Sequence, residues 1–306
     1  MTTDIRAPRH IAGRAPAAIP ARRLLLGLAL LALAATLATL PFALMIANAG
    51  ADRTAADAHR AAAAAMPAAD RRRELEAARD YNRRLADDGA ATALARDPWG
   101  AGADPSASDA TYMGLLDTPA DGIMARIRYP RLGIDLPVRH GTGETTLAAG
   151  AGHMYGSSLP VGGKGSHTVI SAHTGLADRL MFDRLSLGQG RVGDVFYITV
   201  LDETLAYRVT SIRTVDPTDT DWVRPDPDRD EATLLTCTPY GVLNKRLLVT
   251  GERTTMPVPA PRPEDAPRDP AAWAPYAWIA AVWAAAGLMA RPPIRAILRN
   301  AKGRKQ

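Results

Sequence analysis

One cysteine stands among 306 residues, and it closes an apolar run, Ala232-Thr233-Leu234-Leu235-Thr236-Cys237. A lone thiol has no partner for an intramolecular disulfide and cannot build a cysteine-based zinc or iron–sulfur cluster. Two readings of Cys237 remain: a small buried hydrophobe or a nucleophilic thiolate. Turn residues follow, Thr238-Pro239-Tyr240-Gly241-Val242, and a second strand-like run opens at Arg246. If the two runs pair antiparallel, Cys237 and Arg246 lie at the same end of one sheet. A guanidinium there favours the thiolate and can donate to an oxyanion; an Arg at a strand end is equally an ordinary surface charge. A thiolate also needs a proton partner. Of the six histidines, His10 lies in the basic N-terminal segment and His59 on a charged helix, leaving His140, His153, His167 and His173. His173 follows Thr168-Val169-Ile170-Ser171-Ala172 and precedes Thr174-Gly175, so it sits at a strand's exit, where catalytic groups gather. Each of the four also fits a surface or packing role.

The elements that must hold these groups are strands. From Gly122 the hydrophobic period becomes two, with Ile123, Ala125, Ile127 and Tyr129 alternating with Met124, Arg126 and Arg128. Further strand-like runs are Asp135–Arg139, Ser166–Ala172, Asp194–Val200, Thr204–Val215, Ala232–Cys237 and Arg246–Glu252, separated by Gly- and Pro-rich turns. A short helical stretch, ADRLMFDRL, follows Thr174. This many short strands predict a closed barrel or a sandwich. Upstream, residues 52–96 are rich in Ala, Arg, Asp and Glu and read as two helices, Arg53–Met66 and Ala68–Ala95, broken at Pro67. They form a helical spacer to which no chemistry is assigned. Next, Asp97-Pro98-Trp99 opens a turn-rich linker that runs to residue 118. A Trp in such a polar loop is a large apolar group in need of cover.

The two ends carry a different signal. No charged residue occurs from Leu24 to Ala51, nor from Ala271 to Ala290, and about 20 apolar residues suffice to span a bilayer. Residues 1–23 carry a net +4 and residues 291–306 a net +6, which leaves −5 on the stretch between them. Positive flanks stay on the cytoplasmic side, so the acidic body is expected on the extracytoplasmic face of the cell membrane. An acidic body with basic ends argues against nucleic-acid binding. Ala47-Asn48-Ala49 offers a competing reading of the first segment as a cleaved signal peptide. Hydrophobic residues at 47% and charged residues at 23% exclude bulk disorder. The expected layout is therefore 1–23 basic and cytoplasmic, 24–51 transmembrane, 52–96 spacer, 97–118 linker and 119–253 β-domain. A Pro-rich spacer (254–270), a second span (271–290) and a basic cytoplasmic tail (291–306) complete it.

SAHTGL around His173, TLLTCTPYG around Cys237 and RLLVTGER from Arg246 closely resemble the sortases, the transpeptidases of Gram-positive surfaces. TLLTC matches their TLxTC signature, and the resemblance covers roughly residues 75–253. Asp97-Pro98-Trp99, SSLPVGGKGSHTVISAHTGL and the second span resemble the pilin-polymerising class C group. The resemblance implies a closed eight-stranded β-barrel, mainly β, with N-terminal helices and two flanking transmembrane helices. It implies His173, Cys237 and Arg246 as catalytic residues, Thr236 in support, and Asp97, Pro98 and Trp99 as a lid. The implied substrates are LPXTG-like surface or pilin proteins, joined through a Cys thioester to an amine, either a pilin lysine or a peptidoglycan precursor. No cofactor or metal is implied. A tethered cysteine protease and a non-catalytic binding module are the competing classes. Where the group typically has Asn-Thr-His before the Arg, this chain has Leu243-Asn244-Lys245.

Overall fold

The computed structural model describes residues 19–87, 94–100, 102, 104–117, 121–257 and 273–302, without the side chains of 300 and 302. The chain divides into two compact units, one of residues 1–40 with 277–306 and one of residues 41–276. In the first unit the helices are apolar and their large side chains are exposed, among them Leu25, Leu26, Leu30, Leu33 and Leu37, and Trp278, Leu288 and Met289. Helix α1 (Ala21–Ala65) and helix α6 (Ala274–Lys302) are both long and apolar enough to cross a membrane.

Two sequence expectations merge in α1. The predicted span and the first spacer helix form one continuous helix to Ala65, because only Pro67 interrupts the Ala-rich run. Helix α6 likewise continues past Arg291 through Pro292 and Pro293. The second spacer helix, α2, covers Ala68–Asp87; residues 88–93 of its predicted extent lie outside the described residues. So do residues 1–18 of the basic segment, 101, 103 and 118 of the linker, 119–120 of the β-domain, 258–270 of the Pro-rich spacer, 271–272 of the second span and 303–306 of the tail. Leu75, Ala78, Asn82 and Leu85 form the buried face of α2. Asn82 fixes it to the barrel, its amide donating to the Leu159 carbonyl (3.0 Å) and accepting from the Leu159 N–H (2.7 Å).

The second unit is built on a closed barrel of eight strands. They are β1 (Ile123–Tyr129), β2 (Ile134–His140), β3 (Ala151–His153), β4 (Ser166–Ser171), β5 (Val195–Val200), β6 (Glu203–Val215), β7 (Asp230–Thr238) and β8 (Lys245–Thr254). Their order is β1-β2-β3-β4-β7-β8-β6-β5, closed by β5 on β1. The eight-stranded barrel expected from the resemblance is borne out. Strand β3 was not marked by periodicity, since three residues, Ala-Gly-His, carry no alternation. Short helices α3 (Ala110–Gly114), α4 (Glu144–Ala148) and α5 (Asp183–Ser186) lie in the connections. The helix expected over ADRLMFDRL shrinks to α5. The Asp183 carboxylate accepts the N–H groups of Gly175 (2.8 Å) and Met181 (2.9 Å) and so holds the preceding residues in a loop.

Alternation along the strands sorts side chains to two faces. Leu234, Leu247 and Val249 join the main core with Tyr129, Phe196 and Tyr207, whereas Leu235 and Leu248 belong to a second cluster with Val169, Met154, Val223 and Ala95. Gly251 admits Phe196 to the main core, since a Cβ there would lie 2.7 Å from the ring. The second cluster lies on the outer wall of the barrel, where Trp99 and Trp222 pack against it.

Candidate active site

Register brings the candidate residues together. Strands β4 and β7 are parallel, with Ser171 paired to Leu235, so His173 and Cys237 each lie two residues beyond the same rung on adjacent strands. Strands β7 and β8 are antiparallel, with Cys237 directly opposite Arg246; side chains so paired start about 5 Å apart. Cys237 shares the outward face of Leu235, two residues before it, so the thiol sits on the outer wall above the second apolar cluster. Thr236 points the other way. Its hydroxyl donates to the Ala172 carbonyl at 2.8 Å, tying β7 to the backbone one residue before His173. The Cys237 carbonyl accepts from the Ser186 hydroxyl at 2.8 Å, and the Phe182 N–H donates to the His173 carbonyl at 3.1 Å.

All three members of Asp97-Pro98-Trp99 lie at this site or on the recess beside it. The Asp97 carboxylate takes the Arg246 guanidinium in a two-point pair, Nε to Oδ1 at 2.6 Å and Nη2 to Oδ2 at 2.7 Å. Both side chains are nearly buried, at 8% and 11% exposure. The third guanidinium nitrogen, Nη1, donates to the carbonyls of Leu243 (3.3 Å) and Lys245 (3.1 Å). The departure at Leu243-Asn244-Lys245 therefore leaves Arg246 held through backbone oxygens, which those side chains do not alter. Trp99 stacks under the guanidinium, 5.0 Å from ring centre to Cζ, and meets His173 edge-on at 5.8 Å. Its indole N–H donates to His173 Nδ1 at 3.1 Å. An indole nitrogen can only donate, so Nδ1 is unprotonated and the neutral imidazole carries its proton on Nε2.

Electrostatics follow from this cover. Burial pushes the Cys237 thiol up to about 11; the Arg246 guanidinium pulls it down and the Asp97 carboxylate pushes it further up. Burial also lowers the pKa of His173, opposed by the Glu144 carboxylate. Both groups are thus held neutral. Cys237 is 5% exposed, yet its neighbours are an imidazole, a guanidinium and a carboxylate, a setting that a packing thiol does not require.

Sequence reasoning missed three contributors. Asp183 caps the loop after His173 and accepts from Tyr240 (3.3 Å) in the loop after Cys237, so one buried carboxylate joins both loops. Ser186 fixes the cysteine carbonyl. Glu144 acts on His173 from a helix that no periodicity marked. The three other candidate histidines are structural: His153 bonds Tyr112 and Ser158, His167 bonds Val223 and Thr233, and His140 bonds Leu115.

Comparison with known proteins agrees with this geometry. A sortase domain matches residues 127–254. The chain is similar to the solved structure of sortase C-1 from Actinomyces oris, at 45% identity and TM-score 0.54, covering 60% of this chain and 98% of that one. It is similar to the pilus-related sortase C of Group B Streptococcus at 34% identity and TM-score 0.55, covering 63% and 94%. The curated Sortase A of Streptococcus agalactiae is 29% identical over 119 residues, 38% of this chain; the chain spans about half of that relative's length, 47%. Barrel topology, the shared edge of His173, Cys237 and Arg246, and near-complete coverage of a 45%-identical structure lead to one assignment: the chain belongs to the sortase family.

Proposed function

We propose that the protein is a membrane-anchored cysteine transpeptidase that cleaves an LPXTG-like sorting signal between Thr and Gly and transfers the acyl group to an amine. The carrying observation is the Cys237–Arg246 rung with His173 on the same edge. The pilus-related neighbour supports a pilin lysine as acceptor; a peptidoglycan-precursor amine is the second acceptor class. Residues 119–253 are the catalytic domain. The basic flanks of the two apolar helices support its placement on the extracytoplasmic face.

In this reading Cys237 passes its thiol proton to His173, and Sγ attacks the Thr carbonyl carbon. Arg246 donates to the oxyanion that forms, the C–N bond to Gly breaks, and His173 supplies the proton that the leaving amine needs. The product is a thioester. In the second half an amine gives up its proton to His173 and attacks the thioester carbonyl, releasing Cys237. The outer-wall cluster around Leu235, Val169 and Leu248 offers an apolar floor for the signal peptide. Asp97, Pro98 and Trp99 act as a lid. While closed, Asp97 occupies the donors that the oxyanion needs, and Trp99 occupies the nitrogen through which His173 would take up a proton.

The test is mass spectrometry of the chain with an LPXTG peptide, with and without an amine. The wild type should form a thioester adduct and an amine-linked product. Cys237→Ala, His173→Ala and Arg246→Ala should each abolish transfer; near-wild-type turnover by any one removes that residue from the mechanism. Product formed only by hydrolysis, whatever amine is added, would mark a tethered protease instead.

A further inference from the structure

A recess of about 630 Å³ opens beside His173. Trp99 and Arg96 of the lid segment, Leu147, Tyr155 and Glu144 line it together with His173, whereas Cys237 and Arg246 do not. It therefore gives access to the imidazole from a side other than the thiol. The wall that carries Glu144 belongs to the barrel and is rigidly built. After β2 the chain turns at Gly141 (φ +72°), whose N–H donates to the Tyr112 hydroxyl at 2.9 Å. The Thr142 N–H donates to Asp104 at 2.5 Å, and the Thr146 hydroxyl donates to the His140 carbonyl at 3.3 Å. Behind the turn, a Cβ on Gly152 would lie 2.2 Å from the Gly141 carbonyl oxygen, so the turn rests against β3 with no slack.

Three carboxylates border the recess, and two are committed. Asp97 holds Arg246, and Asp104 accepts from the backbone of Ser106 and Thr142. Glu144 is exposed and, among the described residues, makes no hydrogen bond or ion pair. Its charge nevertheless reaches His173, where it favours the protonated imidazole. A carboxylate lining the same recess as the imidazole that must deprotonate an acceptor is placed to hold that acceptor while it is still charged. Resting on the transpeptidase reading above, we infer that this recess is the acceptor subsite and that Glu144 docks the incoming primary ammonium of a lysine side chain.

A lysine ammonium with a pKa of about 10.4 arrives protonated at neutral pH, and only the charged form gains from Glu144. The ammonium gives one proton to solvent through His173. The free amine then attacks the thioester carbonyl carbon, the C–N bond forms and the C–S bond breaks, and the second amine proton passes through His173 to the departing Cys237 thiolate. Water carries no charge and gains nothing from Glu144, so the carboxylate biases the thioester toward transfer over hydrolysis.

The experiment measures how the thioester formed from an LPXTG peptide partitions between acceptor and water, using Nα-acetyl-lysine amide and hydroxylamine, which is neutral at pH 7.5. Because partition is counted from a common thioester, it is independent of how fast the thioester forms. Glu144→Gln should cut the lysine-to-water ratio about three- to fivefold at low salt, Glu144→Lys should cut it further, and neither should move the hydroxylamine-to-water ratio. The wild-type ratio for lysine should fall with added salt while that of Glu144→Gln stays flat. An unchanged lysine ratio in Glu144→Gln overturns the inference. A parallel fall for lysine and hydroxylamine also overturns it, because Glu144 would then act only on the basicity of His173. If the wild type gives a thioester but no amine product with either acceptor, the transpeptidase reading fails and this inference with it.

Discussion

Opening the lid should convert Cys237 from an inert thiol to a reactive one by an amount set by its ionisation. In the closed form burial and Asp97 outweigh Arg246 and hold the thiol at about 11, against an ordinary 9.0. At pH 7.5 the corresponding thiolate fractions are about 0.03% and about 3%, a difference of about 100-fold. A less basic thiolate is also a weaker nucleophile; with a Brønsted slope of about 0.4–0.5, the two-unit fall removes about six- to tenfold of that gain. The double variant Asp97→Asn/Trp99→Ala, which removes both the charge and the cover, should therefore be alkylated about 10- to 15-fold faster at pH 7.5.

The assay is the pH dependence of alkylation by a small neutral reagent such as iodoacetamide, followed by intact mass. The wild-type rate should keep rising beyond pH 10, whereas the double variant should level off about two units earlier. The position of the plateau is the discriminating quantity. A faster rate at every pH with the same apparent pKa would mean that the lid blocks reagent entry and does nothing to ionisation, and an unchanged profile would leave Trp99 as packing alone. Either result refutes the electrostatic account.

Two other outcomes follow from the same geometry. Arg246→Lys keeps a positive charge but loses the planar pair of donors, so transfer should fall about 10²- to 10³-fold while Cys237 remains open to alkylation; comparable losses in both assays would mean that Arg246 serves only the thiol. The buried His153 and His167 are lowered by burial from 6.5 to about 4; the folded state therefore binds fewer protons than the unfolded one, and the stability present above pH 6.5 is lost as pH falls toward 4, by about 3 kcal/mol for each histidine. Urea unfolding of the catalytic domain followed from pH 7 to pH 4 checks this, and a flat profile refutes it.

The strands were legible where side-chain period and turn residues agree. Ile123–Tyr129 is one example, and its bounds match the observed strand β1. Strand β3 was not legible, because its three residues are held by their neighbours, through parallel pairing with β2 and antiparallel pairing with β4, and no local pattern encodes that. The failure over ADRLMFDRL has a related cause. The helical period is present, but the Asp183 carboxylate bonds backward to Gly175 and Met181, an alternative that local period does not reveal. At the site, Cys237 ends an apolar run, Arg246 opens one and His173 follows one, which made them candidates beside packing and surface readings; the resemblance of the motifs around them to sortases is what singled out the three.

What those residues do to one another is a property of distant contacts. Asp97 lies 149 residues from Arg246, and Trp99 lies 74 residues from His173. Asp97 pairs with the cation that lowers the thiol and itself raises it, and Trp99 takes the imidazole nitrogen left basic. The resulting rest state is a neutral pair: a thiol whose neighbouring cation is tied to a carboxylate, beside an imidazole whose acceptor nitrogen is occupied. Ionising the pair requires both contacts to break, and Pro98 joins them in one tripeptide. On the proposed reading, substrate that displaces Trp99 should therefore also strain the Asp97–Arg246 pair, so that exposure of the sulfur and release of the guanidinium donors become coupled steps of one lid movement.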